Sequence, residues 1–168
     1  MDMGKHAPGF TLLEMIIAVS ISAILLTIAV PSFSASRLNS QLRASANDLV
    51  ASVNLARNEA LKRNRPVTLC VSNADGSSCA AGNWGQGWVV MVGATPIHSV
   101  SAVAQGFRIT ETTSGATSLE FQSTGVDTTP ASFTVCRAAP NLGNQERVVN
   151  VDATGRASVR RTTSGTCP

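Results

Sequence analysis

The first pattern in the chain is a long apolar run at residues 10–30, FTLLEMIIAVSISAILLTIAV, in which Glu14 is the only charged residue. Apart from Glu14 and four hydroxyl residues, every position is apolar. As a helix, 21 residues rise roughly 31 Å, which matches a hydrocarbon core of about 30 Å. The pattern therefore predicts a helix that can cross a membrane, preceded by a short polar leader at residues 1–9.

Three structures are compatible with this run: a buried core helix, a cleaved secretory signal, or a membrane helix that the mature protein keeps. The rest of the chain is too small to surround a core helix of this length. A secretory signal has a more basic start and an apolar core of about 7–15 residues, although Ser34-Ala35-Ser36 resembles a cleavage site. The retained membrane helix is favoured because the sequence continues as a helix beyond Pro31.

Beyond Pro31 the apolar residues form a single stripe, with steps of three and four: Leu42, Ala46, Leu49, Val53, Ala56 and Ala60. This spacing is typical of a helix with one buried face. The charged residues up to Arg63 lie mostly off the stripe, and neither Gly nor Pro occurs between Pro31 and Pro66. Because the residue before a proline disfavours helical geometry, the helix is expected to stop at Asn64-Arg65-Pro66.

Together the two patterns predict one helix from Phe10 to about Arg63, kinked near Pro31, where the ring removes a hydrogen bond to the preceding turn. At about 54 residues this helix is roughly 80 Å long. The expected division of the chain is a leader, a membrane or filament-core segment, the amphipathic half of the same helix, and a β-rich head: residues 1–9, 10–30, 31–64 and 65–168.

The head carries short runs of β-branched and aromatic residues, several with a period of two, which indicates strands. Turn-forming clusters separate these runs. The predicted strands are residues 67–72, 87–92, 107–112, 118–123, 132–137, 147–151 and 156–161. The helix stripe is expected to cover one face of an antiparallel sheet, so the predicted fold class is α+β.

Composition excludes several kinds of function. Of the 168 residues, 43% are hydrophobic and 14% are charged, so this is not a disordered polar chain. The net charge of +3 is too small to imply nucleic acid by itself, and five Phe, two Trp and no Tyr argue against a base-stacking platform. Of the two histidines, His6 lies in the leader, so a multi-His metal centre is excluded from the mature chain. We expect no metal and no other cofactor.

Three features of the head have structural interpretations. Trp84 and Trp88 stand between glycines just before a predicted strand. Trp88 is expected in the core and Trp84 at the sheet edge, with a partner-docking loop as the alternative. His98 follows Pro96 in a segment of small residues and is expected in a plain loop. Residues 141–145 are expected to form a surface loop.

The residues Gly9-Phe10-Thr11-Leu12-Leu13-Glu14 resemble the G-F-T-L-x-E processing site of type IV prepilins and type II secretion pseudopilins. Pro31 falls where such proteins usually carry a proline. The stretch LARNEALKRNRPVTLC at residues 55–70 is similar to the GspH/FimT group, which includes FimU-type minor pilins. So is the C-terminal pattern of Cys136, a variable loop, Val149-Asn150-Val151, Gly155-Arg156 and Cys167. The resemblance covers the whole chain and implies a type IV pilin-like fold.

The resemblance also implies a maturation pathway. A prepilin peptidase would cut between Gly9 and Phe10, and Phe10 would be N-methylated. The mature chain would lie in the inner membrane with a periplasmic head and then pack, helix against helix, with other major and minor pilins. Pro31 and Glu14 would take part in this assembly.

Glu14 has a physical reason to seek a partner, because an unpaired carboxylate in hydrocarbon is costly. After cleavage, the new ammonium group of Phe10 lies one helical turn away. We expect Glu14 of one subunit to pair with the Phe10 amine of a neighbour, which would set the axial register. A solvated carboxylate at the headgroup edge is the alternative.

Four cysteines, all beyond the membrane segment, fit an oxidising periplasm. Three pairings are possible, and chain proximity and the family pattern favour Cys70–Cys79 and Cys136–Cys167. The second would close a loop of about 30 residues and contribute roughly 3–4 kcal/mol in the chain-entropy model. A zinc site is the alternative, but no C-x-x-C spacing occurs.

Basic residues concentrate near the C-terminus in a segment poor in acids: Arg147, Arg156, Arg160 and Arg161. In a strand that starts at Arg156, Arg156 and Arg160 share a face and Arg161 can swing round at the end. Three guanidinium groups within about 15 Å can straddle phosphates of double-stranded DNA. FimT-like proteins of natural transformation bind DNA through a G-R-x-R element here, whereas this chain has Ser158 at the fourth position. A solvated strand edge is the alternative.

The leading hypothesis is structural: a low-abundance pilin-like subunit that initiates or tips a type IV pilus. An H-type pseudopilin of a type II secretion system is the alternative within the family, and a DNA receptor of a competence pilus is a further one. An enzyme is not expected, because the sequence offers no nucleophile–base pair, metal set or phosphate loop.

Overall fold

The computed structural model describes residues 10–138, 145–162 and 167. Within them the chain forms one long helix followed by eight strands, which confirms the α+β class. The helix, α1, is Leu12–Arg63. The strands are β1 (Val67–Val71), β2 (Gly87–Val92), β3 (Thr95–Ser101), β4 (Phe107–Glu111), β5 (Ser118–Phe121), β6 (Ala131–Arg137), β7 (Glu146–Val151) and β8 (Ala157–Thr162). The leader at residues 1–9 and residues 141–144 of the expected loop lie outside the described residues.

The strands form two antiparallel sheets of four strands each, in the orders β3-β2-β1-β5 and β4-β6-β7-β8. The prediction of a single sheet is therefore wrong. The sequence of each strand does not show which strand it pairs with. Alternation of apolar and polar residues shows only which side chains lie on the same face of a sheet. The chain passes from the first sheet to the second between β3 and β4, returns between β4 and β5, and passes to the second sheet again between β5 and β6.

The sequence analysis also missed β3, and His98 lies in this strand rather than in a loop. β3 is an edge strand that pairs only with β2, and most of its side chains are exposed. A strand without a buried face shows no apolar alternation, and Pro96 argues against a central strand while it is tolerated at an edge. Both effects hide β3 from pattern analysis.

The chain divides into two compact units, residues 1–38 and residues 39–168. In the second unit, the predicted stripe of α1 forms the core, since Leu42, Ala46, Leu49, Val53, Ala56 and Ala60 are all 0% exposed. The stripe prediction is therefore confirmed. At about 25 cal/mol for each Å² of apolar surface removed from water, this buried stripe is a main source of stability for the head.

Both tryptophans belong to the core. Trp88, on β2, is fully buried, and its Nε1 donates a hydrogen bond of 2.9 Å to Ser52 Oγ on α1. Trp84 is buried in a short 3-10 helix, where its ring packs edge-on against Phe133 with centroids 4.9 Å apart. Its Nε1 donates to the carbonyl of Ala116 at 2.8 Å. The indole N–H groups are thus satisfied, as burial requires.

The end of α1 has a specific cause. Asn64 has a φ of +49°, and the N–H groups of Asn64 and Arg65 donate to the carbonyls of Leu61 and Ala60. These two bonds form a Schellman motif, in which Asn replaces the usual Gly in the left-handed position. The helix therefore ends at Arg63, where the sequence predicts. The kink at Pro31 stays a prediction.

The two disulfides join Cys70 to Cys79 and Cys136 to Cys167. The first connects β1 to the loop before β2, and the second ties the C-terminal segment to β6. No cysteine is left free, so the zinc alternative is excluded. Because Cys136 lies in the middle of its sheet, between β4 and β7 in strand order, the second disulfide fixes the chain end to the interior of the head.

Glu111 fixes the connection between the two sheets. This buried carboxylate at the end of β4 accepts hydrogen bonds from the backbone N–H groups of Thr113, Ser114, Ala116 and Ser132 at 2.8–3.2 Å. Burial alone raises the pKa of Glu111, but the four N–H donors outweigh it and lower the pKa to about 2. The ionised carboxylate therefore holds the β4–β5 turn against β6.

This arrangement predicts a specific acid sensitivity. A carboxyl group with a depressed pKa stabilises the fold above its unfolded-state pKa and loses that contribution as the pH falls toward the folded-state value. For Glu111 the loss spans about pH 5 to pH 2, and it amounts to about 3 kcal/mol if the whole shift is expressed. We expect Glu111→Gln to lower the free energy of unfolding at pH 7 and to flatten its pH dependence over this range.

The measurement is urea unfolding of the chain in mild detergent, followed by the fluorescence of Trp84 and Trp88, which both report on the head. Glu120→Gln, which removes an exposed carboxylate from β5, is the matched control and should change little. An unfolding free energy of Glu111→Gln equal to that of the control at pH 7 contradicts the role given to Glu111.

Candidate functional site

The first candidate surface is the N-terminal half of α1. Every described side chain from Phe10 to Arg37 is exposed, including the large apolar ones from Phe10, at 84%, to Phe33, at 67%. This part of α1 is long and apolar enough to cross a membrane, with a mean hydropathy of 2.4 over its most apolar 18 residues. An apolar surface of this size requires lipid or other apolar helices to cover it.

Four hydroxyl side chains of this segment form hydrogen bonds inside the helix itself. The hydroxyls of Ser20, Ser22 and Ser34 donate to the carbonyl four residues earlier, and Thr27 donates to the carbonyl three residues earlier, at 2.7–3.1 Å. Such local bonds are the usual way for hydroxyl groups to enter an apolar environment. Within residues 10–30, Glu14 is the only charged side chain.

Glu14 and Thr11 cap the start of the helix. The backbone N–H of Glu14 donates to Thr11 Oγ1 at 3.2 Å, and the backbone N–H of Thr11 donates to Glu14 Oε2 at 3.0 Å. Thr11 Oγ1 also donates to the same carboxylate oxygen at 3.1 Å. These contacts form a capping box. The sequence analysis missed it, although Thr-x-x-Glu before an apolar run is its signature.

The expected processing and assembly residues occupy the two ends of the apolar segment. Gly9 lies outside the described residues, whereas Phe10 directly precedes the capping box and is almost fully exposed. Pro31 lies within α1, whose backbone remains helical there. Phe10 and Glu14 are thus close in the chain and both accessible to a neighbouring molecule.

The second candidate surface is β8, an edge strand that carries basic residues. β8 begins at Ala157, so Arg156 directly precedes the strand, and the shared face of Arg156 and Arg160 stays a prediction. Asp152 Oδ1 accepts the backbone N–H of Arg156 at 3.0 Å and holds this residue in the preceding turn. Arg160 and Arg161 are consecutive strand residues, so their side chains leave opposite faces of the sheet. All three arginines are exposed.

Arg147 differs from the other basic residues because it is only 4% exposed. It lies on β7 directly opposite Arg161 of β8, and its guanidinium donates to Asn39 Oδ1 on α1 and to the carbonyl of Glu146. Burial, and then the charges of Arg161 and Arg43, lower the pKa of Arg147. The structure thus gathers three arginines that are far apart in sequence, which no local pattern indicates.

No group of three or more His, Cys, Asp and Glu residues that could hold a metal occurs among the described residues. A helix that is apolar all round over its first half and that carries a β-rich head on its second half is the architecture of pilin-like subunits.

The sequence of this chain matches two known protein families. Residues 4–30 match the family described as "Prokaryotic N-terminal methylation motif", and residues 45–155 match the one described as "Type II transport protein GspH". The chain belongs to the GspH family and is a minor pilin or pseudopilin of a type IV pilus or a type II secretion system. Members of this family are structural subunits rather than enzymes. No curated protein sequence matches the chain significantly.

Solved structures support the same fold. The type IV minor pilin FimU of Pseudomonas aeruginosa is similar with a TM-score of 0.60 and 21% identity, over 75% of this chain and 95% of FimU. The minor pseudopilin EpsH of the Vibrio cholerae type 2 secretion system is similar with a TM-score of 0.52 and 11% identity, over 72% of this chain and 97% of EpsH. The expected resemblance to the GspH/FimT group is therefore confirmed.

Proposed function

We propose that this chain is a minor pilin that initiates or tips a type IV pilus. A prepilin peptidase removes residues 1–9 by cutting between Gly9 and Phe10, and Phe10 is then N-methylated. The mature chain is held in the inner membrane by residues 10–30, with its head in the periplasm, until other major and minor pilins surround the helix. The observation that carries this proposal is the apolar, wholly exposed first half of α1.

Two disulfides and a methylation-motif match support this location. Disulfides persist in oxidising compartments, and both lie in the head. The match at residues 4–30 covers the expected cleavage site and the apolar segment. A head outside the cytoplasm on a retained helix agrees with both observations.

The direct test is the mature N-terminus. We expect mass spectrometry of the chain, purified from membranes, to give N-methylated Phe10 as the first residue. A mature chain that begins near Ser36, or a freely soluble protein, contradicts retention of the helix and supports a cleaved signal instead.

Glu14 is proposed to pair with the Phe10 ammonium of a neighbouring subunit. The capping box occupies one of its carboxylate oxygens, Oε2, which leaves Oε1 for an intermolecular partner. Glu14→Ala removes both the charge and the cap, whereas Glu14→Gln keeps a side chain that can complete a capping box but removes the charge. We expect both variants to be processed and both to enter filaments poorly, about tenfold less than wild type, as loss of a charge-assisted contact in an apolar site predicts.

Incorporation is measured by immunoblotting of sheared pili against the total cell content. Asp48→Ala, which removes another carboxylate from α1 but outside the apolar segment, is the matched control. Normal incorporation of Glu14→Gln together with poor incorporation of Glu14→Ala assigns the effect to the helix cap and contradicts the ion pair.

An H-type pseudopilin is the alternative within the family, because the matching family is described as a type II transport protein. The two roles differ in the phenotype of a deletion strain. Loss of twitching with normal secretion supports the pilus, whereas loss of protein secretion with normal twitching supports the pseudopilin.

A second candidate function, DNA binding for uptake, is favoured by the exposed Arg156 and Arg160. Asp152 binds the backbone of Arg156 and leaves its guanidinium available. A duplex presents closely spaced phosphates, so two or three such side chains give weak, salt-dependent and sequence-independent binding. This candidate adds a ligand to the pilin and does not replace the structural role.

For a fragment of residues 37–168, we expect a double-stranded DNA titration at low salt to show binding that weakens at moderate salt. Arg156→Gln/Arg160→Gln should weaken it about tenfold, since each lost phosphate contact lowers the affinity and the salt slope. Arg65→Gln/Arg108→Gln removes two exposed charges elsewhere on the head and is the control. Absence of binding by wild type, or an equal effect of both double variants, ends this candidate.

A further inference from the structure

Four side chains from three elements converge at one end of the second sheet, and we name them the Arg147 cluster: Asn39, Arg43, Arg147 and Arg161. Asn39 and Arg43 are four residues apart on α1, so they lie on the same face of the helix. Arg147 and Arg161 are direct partners on β7 and β8, so their side chains share a face of the sheet. The hydrogen bond from Arg147 to Asn39 joins the two pairs.

The cluster holds three positive charges, and among residues 10–138 and 145–162 no salt bridge joins Arg43, Arg147 or Arg161 to a carboxylate. The ion pairs of Glu59 with Lys62 and with Arg63 lie elsewhere, within α1. Arg147, which is almost fully buried, is bonded only to neutral oxygen atoms, those of Asn39 and of the Glu146 carbonyl. Burial of a guanidinium next to two like charges destabilises the free fold. An arrangement of this kind is stabilised by an anion.

The donors of the cluster fit one anion chemistry. Guanidinium groups bind the oxygen atoms of phosphate or carboxylate through paired N–H donors. Arg43 and Arg161 are exposed and make no side-chain hydrogen bond within residues 10–138 and 145–162. The hydrogen bond to Asn39 fixes the position of the buried Arg147. The exposed side chains of Arg43 and Arg161 can then move toward an anion that Arg147 binds. A phosphate group has enough oxygen atoms to serve all three.

The position of the cluster in the chain indicates the source of the phosphate. Phe33 is the last exposed large apolar residue of the N-terminal segment, and Asn39 follows it by six residues. Six residues span at most about 20 Å when fully extended, whatever the path of the chain. While the apolar segment is in a bilayer, the cluster is therefore tethered close to the headgroups, where basic residues are attracted to anionic lipids.

We propose that Asn39, Arg43, Arg147 and Arg161 form a binding site for the phosphate group of an anionic phospholipid. The site holds the head against the membrane surface before the subunit joins a filament. It rests on the proposed membrane-resident stage, but not on the identity of the filament. Arg43 and Arg161 supply the exposed N–H donors, and the hydrogen-bonded pair of Arg147 and Asn39 forms the buried part of the site.

The test is native mass spectrometry of the mature chain, purified from membranes into a neutral detergent and supplied with equal amounts of phosphatidylglycerol and phosphatidylcholine that carry identical acyl chains. Identical chains cancel the contribution of the apolar helix, so the ratio of bound lipids reports the headgroup. We expect a preference for phosphatidylglycerol of about tenfold, because both lipids carry the phosphate but the choline cation of phosphatidylcholine is repelled by the arginines of the cluster. Arg43→Gln/Arg161→Gln should abolish the preference, whereas Arg65→Gln/Arg108→Gln should keep it.

The variants separate lost binding from lost folding. Arg43→Gln/Arg161→Gln removes the repulsion around Arg147, so its urea midpoint, followed by tryptophan fluorescence, should equal or exceed that of wild type. A lower midpoint contradicts the energetic basis of the site. Equal binding of both lipids by wild type overturns the proposal, while N-methylated Phe10 on the same preparation leaves the pilin assignment intact.

Two competitors distinguish the source of the phosphate. The preference for phosphatidylglycerol should survive 10 mM inorganic phosphate, roughly the level at which a weak general anion site is occupied. Loss of the preference under these conditions assigns the cluster to free anions and overturns the lipid proposal. Loss on addition of stoichiometric double-stranded DNA assigns the cluster to nucleic acid and overturns it as well.

Discussion

One helix presents apolar surface in two different arrangements, and each arrangement requires a different partner. In residues 39–63 of α1, the apolar residues Leu42, Ala46, Leu49, Val53, Ala56 and Ala60 form a stripe that is fully buried in the head. In residues 10–36 the apolar side chains surround the helix, and nothing in the described part of the chain covers them. A stripe can be buried by one layer of packed structure, whereas a helix that is apolar all round requires a continuous apolar medium. The division of the molecule into a head and a membrane or filament segment follows from this difference.

The head is held together by contacts that cross between elements rather than by local propensity. Trp88 of β2 reaches Ser52 of α1, Glu111 joins the β4–β5 turn to β6, and Arg57 of α1 donates to the carbonyl of Thr154 at 2.8 Å. The second disulfide adds a covalent tie between β6 and the chain end. Each of these contacts links parts of the sequence that are far apart, so the head forms a cooperative unit.

The sequence predicts those features that depend on neighbouring residues and fails where distant residues meet. The helix stripe, the end of α1 before Pro66 and seven strands follow from local spacing and turn chemistry. The exposed edge strand β3 has no buried face, so its residues leave no apolar pattern. The arrangement in two sheets and the meeting of Arg43, Arg147 and Arg161 depend on strand order, which alternation does not encode. The capping box of Thr11 and Glu14 is also local, and Thr-x-x-Glu before an apolar run is its sequence signature.

The internal hydrogen bonds of Ser20, Ser22 and Thr27 have an energetic consequence. Because these hydroxyl groups donate within the helix, they need no hydrogen-bond acceptor from their surroundings. Lipid tails and apolar helices are about equally apolar. Exchanging one medium for the other therefore changes the solvation free energy of this segment very little. The direction of such a transfer therefore depends on the few polar groups at the N-terminal end of the segment, Thr11 and Glu14 among them.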